Sequence, residues 1–114
     1  MSAPAEGDLI EIDDESAVGH EQKGRRPAMV VSIDAFQETG LAIVCPVTTH
    51  RGKTAGPRSD LEVAVPPGHE VTGVILSHQV KTIDWKSRNT TVLTRLPRAT
   101  LLSVRARLKL FLGL

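Results

Sequence analysis

Seven short runs rich in apolar and β-branched residues are followed by one change of period at the C-terminal end. The runs fall at Asp8–Asp13, Ala28–Ile33, Leu41–Val47, Leu61–Val65, Val71–Leu76, Gln79–Ile83 and Thr90–Thr94, with turn signals such as Gly40 and Pro66-Pro67-Gly68 between them. Short strands at such intervals indicate a small β-barrel or sandwich, because none of them buries its apolar face alone. Ala28–Ile33 and Leu41–Val47 are nearly continuous in apolar residues, as expected of strands covered on both faces. Beyond Thr94 the pattern changes: Leu101, Val104, Leu108 and Phe111 recur at helical spacing. Pro97 suits the first helical position and Gly113 the C-terminal cap.

A chain of 114 residues holds one domain. Residues 1–6 are expected to be a flexible tail and residues 7–114 a single β-rich domain with a C-terminal helix. Asp34 is expected to cap a short helical turn, and Asp84–Arg88 to form another. The hydrophobic content of 40% contains no apolar run of membrane-spanning length and no secretory segment. A cytoplasmic location is therefore expected. The single cysteine, Cys45, excludes an internal disulfide and a cysteine-based metal site. Between Ile43-Val44 and Pro46 it is expected as a small buried strand residue. With Phe36, Trp85 and Phe111 as its only aromatic residues, the chain does not suit a sheet that stacks several RNA bases on rings.

Charge is distributed unevenly. Residues 1–22 contain seven acids and no Lys or Arg, whereas residues 23–114 carry all 14 basic residues against six acids, a net +8. A basic body with an acidic leading segment suits a phosphate backbone or an acidic peptide as partner. The most informative stretch lies where the sign changes, at Gly19-His20-Glu21-Gln22-Lys23-Gly24-Arg25-Arg26-Pro27. It places a carboxylate, an imidazole, an amide and cations on a loop that enters an apolar strand, where binding and catalytic groups concentrate. A second basic, Gly-rich loop spans residues 50–60 and contains Arg51, Lys53 and Arg58. The histidines at 20, 50, 69 and 78 lack zinc-type spacing, and Gly52-Lys53-Thr54 lacks the Gly-rich lead of a Walker loop. No cofactor and no metal are expected.

These pieces occur in an order that resembles a known family. Gly7-Asp8-Leu9-Ile10, Gly19-His20-Glu21-Gln22 and Gly24-Arg25-Arg26-Pro27-Ala28 are followed by Cys45-Pro46-Val47-Thr48-Thr49, Gly73-Val74-Ile75-Leu76 and Gln79 to Trp85. The set looks like the MazF/PemK (Kid-like) type II toxin endoribonucleases. The resemblance implies an SH3-like β-barrel of the CcdB/PemK kind with a C-terminal helix, working as a homodimer. It also implies metal-independent cleavage of single-stranded RNA at short sequences, leaving a 2′,3′-cyclic phosphate and a 5′-hydroxyl. Inhibition by an antitoxin with an acidic disordered tail is implied as well, with no membrane partner.

Carried over by position, Arg26 and Thr48 match the residues tied to catalysis in the MazF-like branch, and Glu21 the loop carboxylate. His20, Gln22, Lys23, Arg25, Thr49, His78, Gln79 and Lys81 are candidate RNA contacts. Arg26 can present a planar fork to two phosphoryl oxygens and Thr48 can add a hydroxyl hydrogen bond. Glu21 is either the base for the 2′-hydroxyl or a partner that orients Arg26. One departure stands out: the acid and base proposed for Kid-like members fall on Leu76 and His78, flanking Ser77, so that pair is missing. The identity of the general acid is open, with His78 and His20 as candidates. Two other readings of the same barrel are a CcdB-like gyrase-binding toxin and an inactive binding module.

Overall fold

The computed structural model describes residues 2–13, 24–49 and 60–114. The chain runs β1 (Asp8–Asp13), β2 (Arg25–Val30), α1 (Asp34–Gln37), β3 (Leu41–Thr48), β4 (Glu62–Ala64), β5 (Val74–Leu76), a 3-10 turn at Ser77–Gln79, β6 (Lys81–Asp84), β7 (Thr91–Arg95) and α2 (Arg98–Leu112). All strand pairs are antiparallel, in the order β4-β5-β3-β2-β1-β7. β3 is long enough to serve two neighbours on one edge: β5 pairs with Val47 and Thr48, and β6 with Leu41 to Val44. Among the described strands β4 and β7 end the sheet without pairing to each other, so the hydrogen-bonded path does not close into a full barrel.

Alternation along the central strands sends side chains into two cores. Leu9, Met29, Val31, Cys45, Val47 and Ile75 face the first, which Leu96, Leu101 and Val104 close from the α2 side. Ile10, Ile12, Ala28, Val30, Ala42 and Val44 face the second, closed by Ile83 and Trp85. Strands covered in this way must be apolar at successive positions, which accounts for the continuous runs in β2 and β3. The second core has a polar seam: Trp85 Nε1 donates to the Gln37 carbonyl at 2.9 Å, Gln37 Nε2 donates to the Ser32 carbonyl at 3.1 Å, and Ser32 Oγ donates to Gln37 Oε1. Gln37 is fully buried, so these bonds satisfy groups that would otherwise be costly to desolvate.

Several local expectations shift. Ile33 occupies the N-cap of α1, which has no side-chain cap bond; Asp34 Oδ1 instead accepts the Glu6 amide at 2.8 Å. Pro4 is buried, Ala5 N donates to Asp8 Oδ2 at 2.7 Å, and Glu6 pairs with Arg105 at 2.7 Å, so residues 4–6 are packed onto the domain. Gln79 lies in the 3-10 turn rather than in a strand. Pro97 is the N-cap of α2, one place earlier than expected, and Gly113 ends the helix in the left-handed region at φ 73°. Leu101 and Val104 are buried and Leu108 packs beside them, but Phe111 is exposed. No helix among the described residues is long and apolar enough to cross a membrane.

Candidate active site

Two consecutive arginines on β2 have different surroundings because strand neighbours point to opposite faces. Arg25 is bound on all sides. Its Nη1 donates to Asp13 Oδ1 at 3.0 Å and to the Asn89 carbonyl at 2.6 Å. Its Nη2 donates to the Glu11 carbonyl at 3.1 Å and to Thr91 Oγ1 at 2.7 Å. Arg88, itself buried, donates twice to the Asp13 carbonyl, and the Asp13 amide returns a bond to the Arg88 carbonyl at 2.9 Å. The end of β1 and the start of β2 are thus both fastened to the turn between β6 and β7. Asn89 in that turn adopts φ 54°, and Asp84 Oδ1 accepts the Lys86 and Ser87 amides.

Arg26 is exposed and lies opposite Ile12 in the β1–β2 register. The β2–β3 register sets Ala28 against Pro46 and Met29 against Cys45. Extended two residues to the strand ends, it brings Arg26 level with Thr48. Thr48 is half-buried and pairs with Val74 on its other side; Thr49 is exposed. A guanidinium and a hydroxyl from adjacent strands therefore share one end of the sheet.

The remaining candidates divide. His20, Glu21, Gln22 and Lys23 lie outside the described residues, as do Arg51, Lys53 and Arg58. Lys81 pairs with Val44, four residues along β3 from Thr48, an offset of about 13 Å at the rise of a strand. His78 and Gln79 are exposed in the 3-10 turn that follows β5, the strand paired with Val47 and Thr48, with Gln79 Nε2 3.4 Å from His78 Nε2. The register thus sets Arg26 level with Thr48 and separates both from Lys81. The clamp formed by Arg25 and Arg88 was not anticipated; its one sequence signal is the pair Glu11 and Asp13 on the same strand face, awaiting a cation.

The leading acids are also spent within the fold. Asp8 pairs with Arg95 at 3.4 Å and Glu6 with Arg98 as well as Arg105, so part of the basic body is neutralised by its own N-terminal segment. A cavity of about 180 Å³ lined by Glu6, Asp34, Arg95 and Arg98, among others, sits at the start of α2. It lies by the Asp8 end of β1, away from Ile12 and Arg26. Cys45 is fully buried, and burial pushes its thiol up from 9.0 to about 12. It is a core residue and not a nucleophile.

Fold and site define a class: small antiparallel β domains with a helix packed under the sheet and a cationic strand end. Residues 5–112 match the family model described as "PemK-like, MazF-like toxin of type II toxin-antitoxin system". The chain is 33% identical over 111 residues to the endoribonuclease toxin MazF of Escherichia coli K12, covering 96% of this chain and 95% of that protein. It is 36% identical over 107 residues to the endoribonuclease PemK of Escherichia coli, covering 91% and 77%. Among solved structures, MazF of Deinococcus radiodurans superposes with a TM-score of 0.82 at 37% identity, covering all of both chains. A MazE–MazF complex from the same organism gives 0.82 at 33% identity, covering 100% and 99%. The chain belongs to the PemK-like, MazF-like toxin family of type II toxin–antitoxin systems.

Proposed function

We propose that this protein is the toxin of a type II toxin–antitoxin pair and cuts single-stranded RNA, mRNA above all, in the cytoplasm. The observation that supports the reading is the β2–β3 register, Ala28 against Pro46, which when extended sets Arg26 level with Thr48, in a chain whose relatives are named endoribonucleases. Glu21 takes the proton of a ribose 2′-hydroxyl, and the freed oxygen attacks the adjacent phosphorus. The bond from phosphorus to the 5′-oxygen breaks, leaving a 2′,3′-cyclic phosphate, and the departing oxygen is protonated to a 5′-hydroxyl. Arg26 holds the charge that gathers on the phosphoryl oxygens and Thr48 donates a hydrogen bond beside it. His78, exposed in the turn that follows β5, and His20 are the candidate donors of that second proton.

The antitoxin partner is read as an acidic segment that occupies the same cations, by analogy with the MazE–MazF complexes. A homodimer would cover the exposed apolar end of α2, where Leu110, Leu112 and Leu114 face solvent. The decisive experiment incubates the purified protein with a mixed-sequence single-stranded RNA in excess EDTA. Discrete fragments with cyclic-phosphate ends are expected; RNA left intact, together with gyrase binding, would move the chain to the CcdB-like reading.

Arg25 and Arg26 should separate in binding measurements. A lost phosphate contact lowers the slope of log affinity against log salt by about one. Arg25→Ala is expected to leave that slope unchanged and to reduce stability by about 0.5–1.5 kcal/mol, because it removes the hydrogen bond to the part-buried Glu11 carbonyl, while water reaches the acceptors at Asp13 and Asn89. A lowered slope with unchanged stability would return Arg25 to the RNA-contacting set.

A further inference from the structure

Gly73 opens the short stretch that becomes β5, and it has the closest backbone approach of any glycine among the described residues. Its φ is 146°, in the region that L side chains rarely adopt. A Cβ at this position would lie 2.0 Å from the Thr48 carbonyl oxygen, 2.9 Å from the Thr48 carbonyl carbon and 3.1 Å from Thr49 Cα. These contacts are with backbone, which cannot swing aside as a long side chain can. Gly68 in the preceding turn provides a contrast: its φ is 93°, and nothing lies within 4 Å of a Cβ built there.

The surroundings decide which partner would yield. On one side β5 is held by β4, through Ala64 opposite Val74 and through the Val65 amide donating to the Gly73 carbonyl at 3.0 Å. On the other side Thr48 is the last residue of β3, and the ladder to β5 consists of Val47 with Ile75 and Thr48 with Val74. Because Thr48 ends its strand, a shift there leaves the rest of the β3 ladder in place. A side chain at 73 would therefore push Thr48 and Thr49 outward by more than about 1 Å, since the 2.0 Å approach must open to an ordinary carbon–oxygen contact.

We infer that Gly73 is a positioning residue for the cleavage site: its bare backbone sets the place of Thr48, and with it the aim of the Thr48 hydroxyl relative to Arg26. The inference rests on the reading of Thr48 as a group that touches the phosphodiester. A displacement of about 1 Å at a reacting centre can lower a rate about 10²-fold. The loss belongs in the chemical step, because RNA held by its backbone cations still binds.

The test is a double-mutant cycle on the full-length protein, with single-turnover cleavage and KM measured on one fluorogenic single-stranded RNA. Gly73→Ala should fold by circular dichroism, lose about 10²-fold in cleavage rate and change KM less than about threefold. In a Thr48→Val background, which removes the hydroxyl but keeps the β-branched shape, Gly73→Ala should cost almost nothing further. Gly68→Ala, strained but without a clash, should cleave as the parent does. The inference is overturned if Gly73→Ala keeps the parental rate while Thr48→Val does not, or if Gly73→Ala loses the same factor in both backgrounds. A Gly73→Ala protein that does not fold overturns it too, since the clash would then be taken up by the body of the sheet. An unchanged rate in Thr48→Val would sink the reading of Thr48 itself.

Discussion

Replacing Arg26 by alanine should lower the cleavage rate by about 10²–10³-fold, the usual consequence of removing one fixed donor from a site where negative charge develops. Substrate affinity should change far less, because other cations still follow the RNA backbone. Stability should also change little: Arg26 is exposed on β2, and surface substitutions usually stay within about 0.5 kcal/mol. Lysine should restore only a small part of the rate, since it offers a point charge in place of a fork with five donors. Rapid-quench cleavage with a parallel thermal melt measures both quantities. An Arg26→Ala enzyme within threefold of the parent would remove this residue from the chemistry, whatever the family resemblance.

The largest effect on the fold should come from Trp85. It is almost fully buried, is the bulkiest member of the second core, and its ring nitrogen satisfies the Gln37 carbonyl. Trp85→Ala is expected to cost about 3–5 kcal/mol, a large share of the roughly 5–15 kcal/mol that holds a domain together. Trp85→Phe keeps most of the apolar surface and loses one of the two bonds to the Gln37 carbonyl, which retains the Gly40 amide, for a loss of about 0.5–1.5 kcal/mol. Urea titrations followed by circular dichroism should show both midpoints displaced with similar slopes. A small loss in the alanine variant would mean that the face of the sheet opposite α2 is not an independent packing unit.

The elements that were legible in the sequence are those whose periodicity is imposed by burial. β2 and β3 are covered on both faces, and α2 turns Leu101 and Val104 toward the sheet, so each carries its signature locally. The edges were harder to read. Val71 and Thr72 have the composition of a strand but precede a glycine pressed against another chain segment, and β5 is limited to Val74–Leu76. The 3-10 turn at Ser77–Gln79 has no periodic signal at all.

The candidate site follows the same logic. Arg26 and Thr48 could be singled out by resemblance, yet their alignment across the sheet is a matter of register, which no single strand contains. Arg25 and Arg26 are adjacent and chemically identical. What separates them is a set of partners at Asn89 and Thr91, more than sixty residues away in the chain. The acids of the leading segment suggested a charge imbalance between two parts of the chain. In the fold Asp8, Glu11 and Asp13 are ladder residues of β1 that meet arginines across the sheet.

The buried thiol of Cys45 ties part of the protein's stability to pH on the alkaline side. An unfolded chain releases the Cys45 proton near 9.0, whereas the native chain keeps it until about 12. Between those values the unfolded state is the one that loses protons, so it is favoured more as the pH rises. The stabilisation is complete below pH 9 and declines through the interval above it, at about 1.4 kcal/mol per pH unit at most. Neutral and mildly acidic media leave it untouched. A residue that takes no part in the chemistry thus withdraws stability from the whole molecule in strongly basic solution.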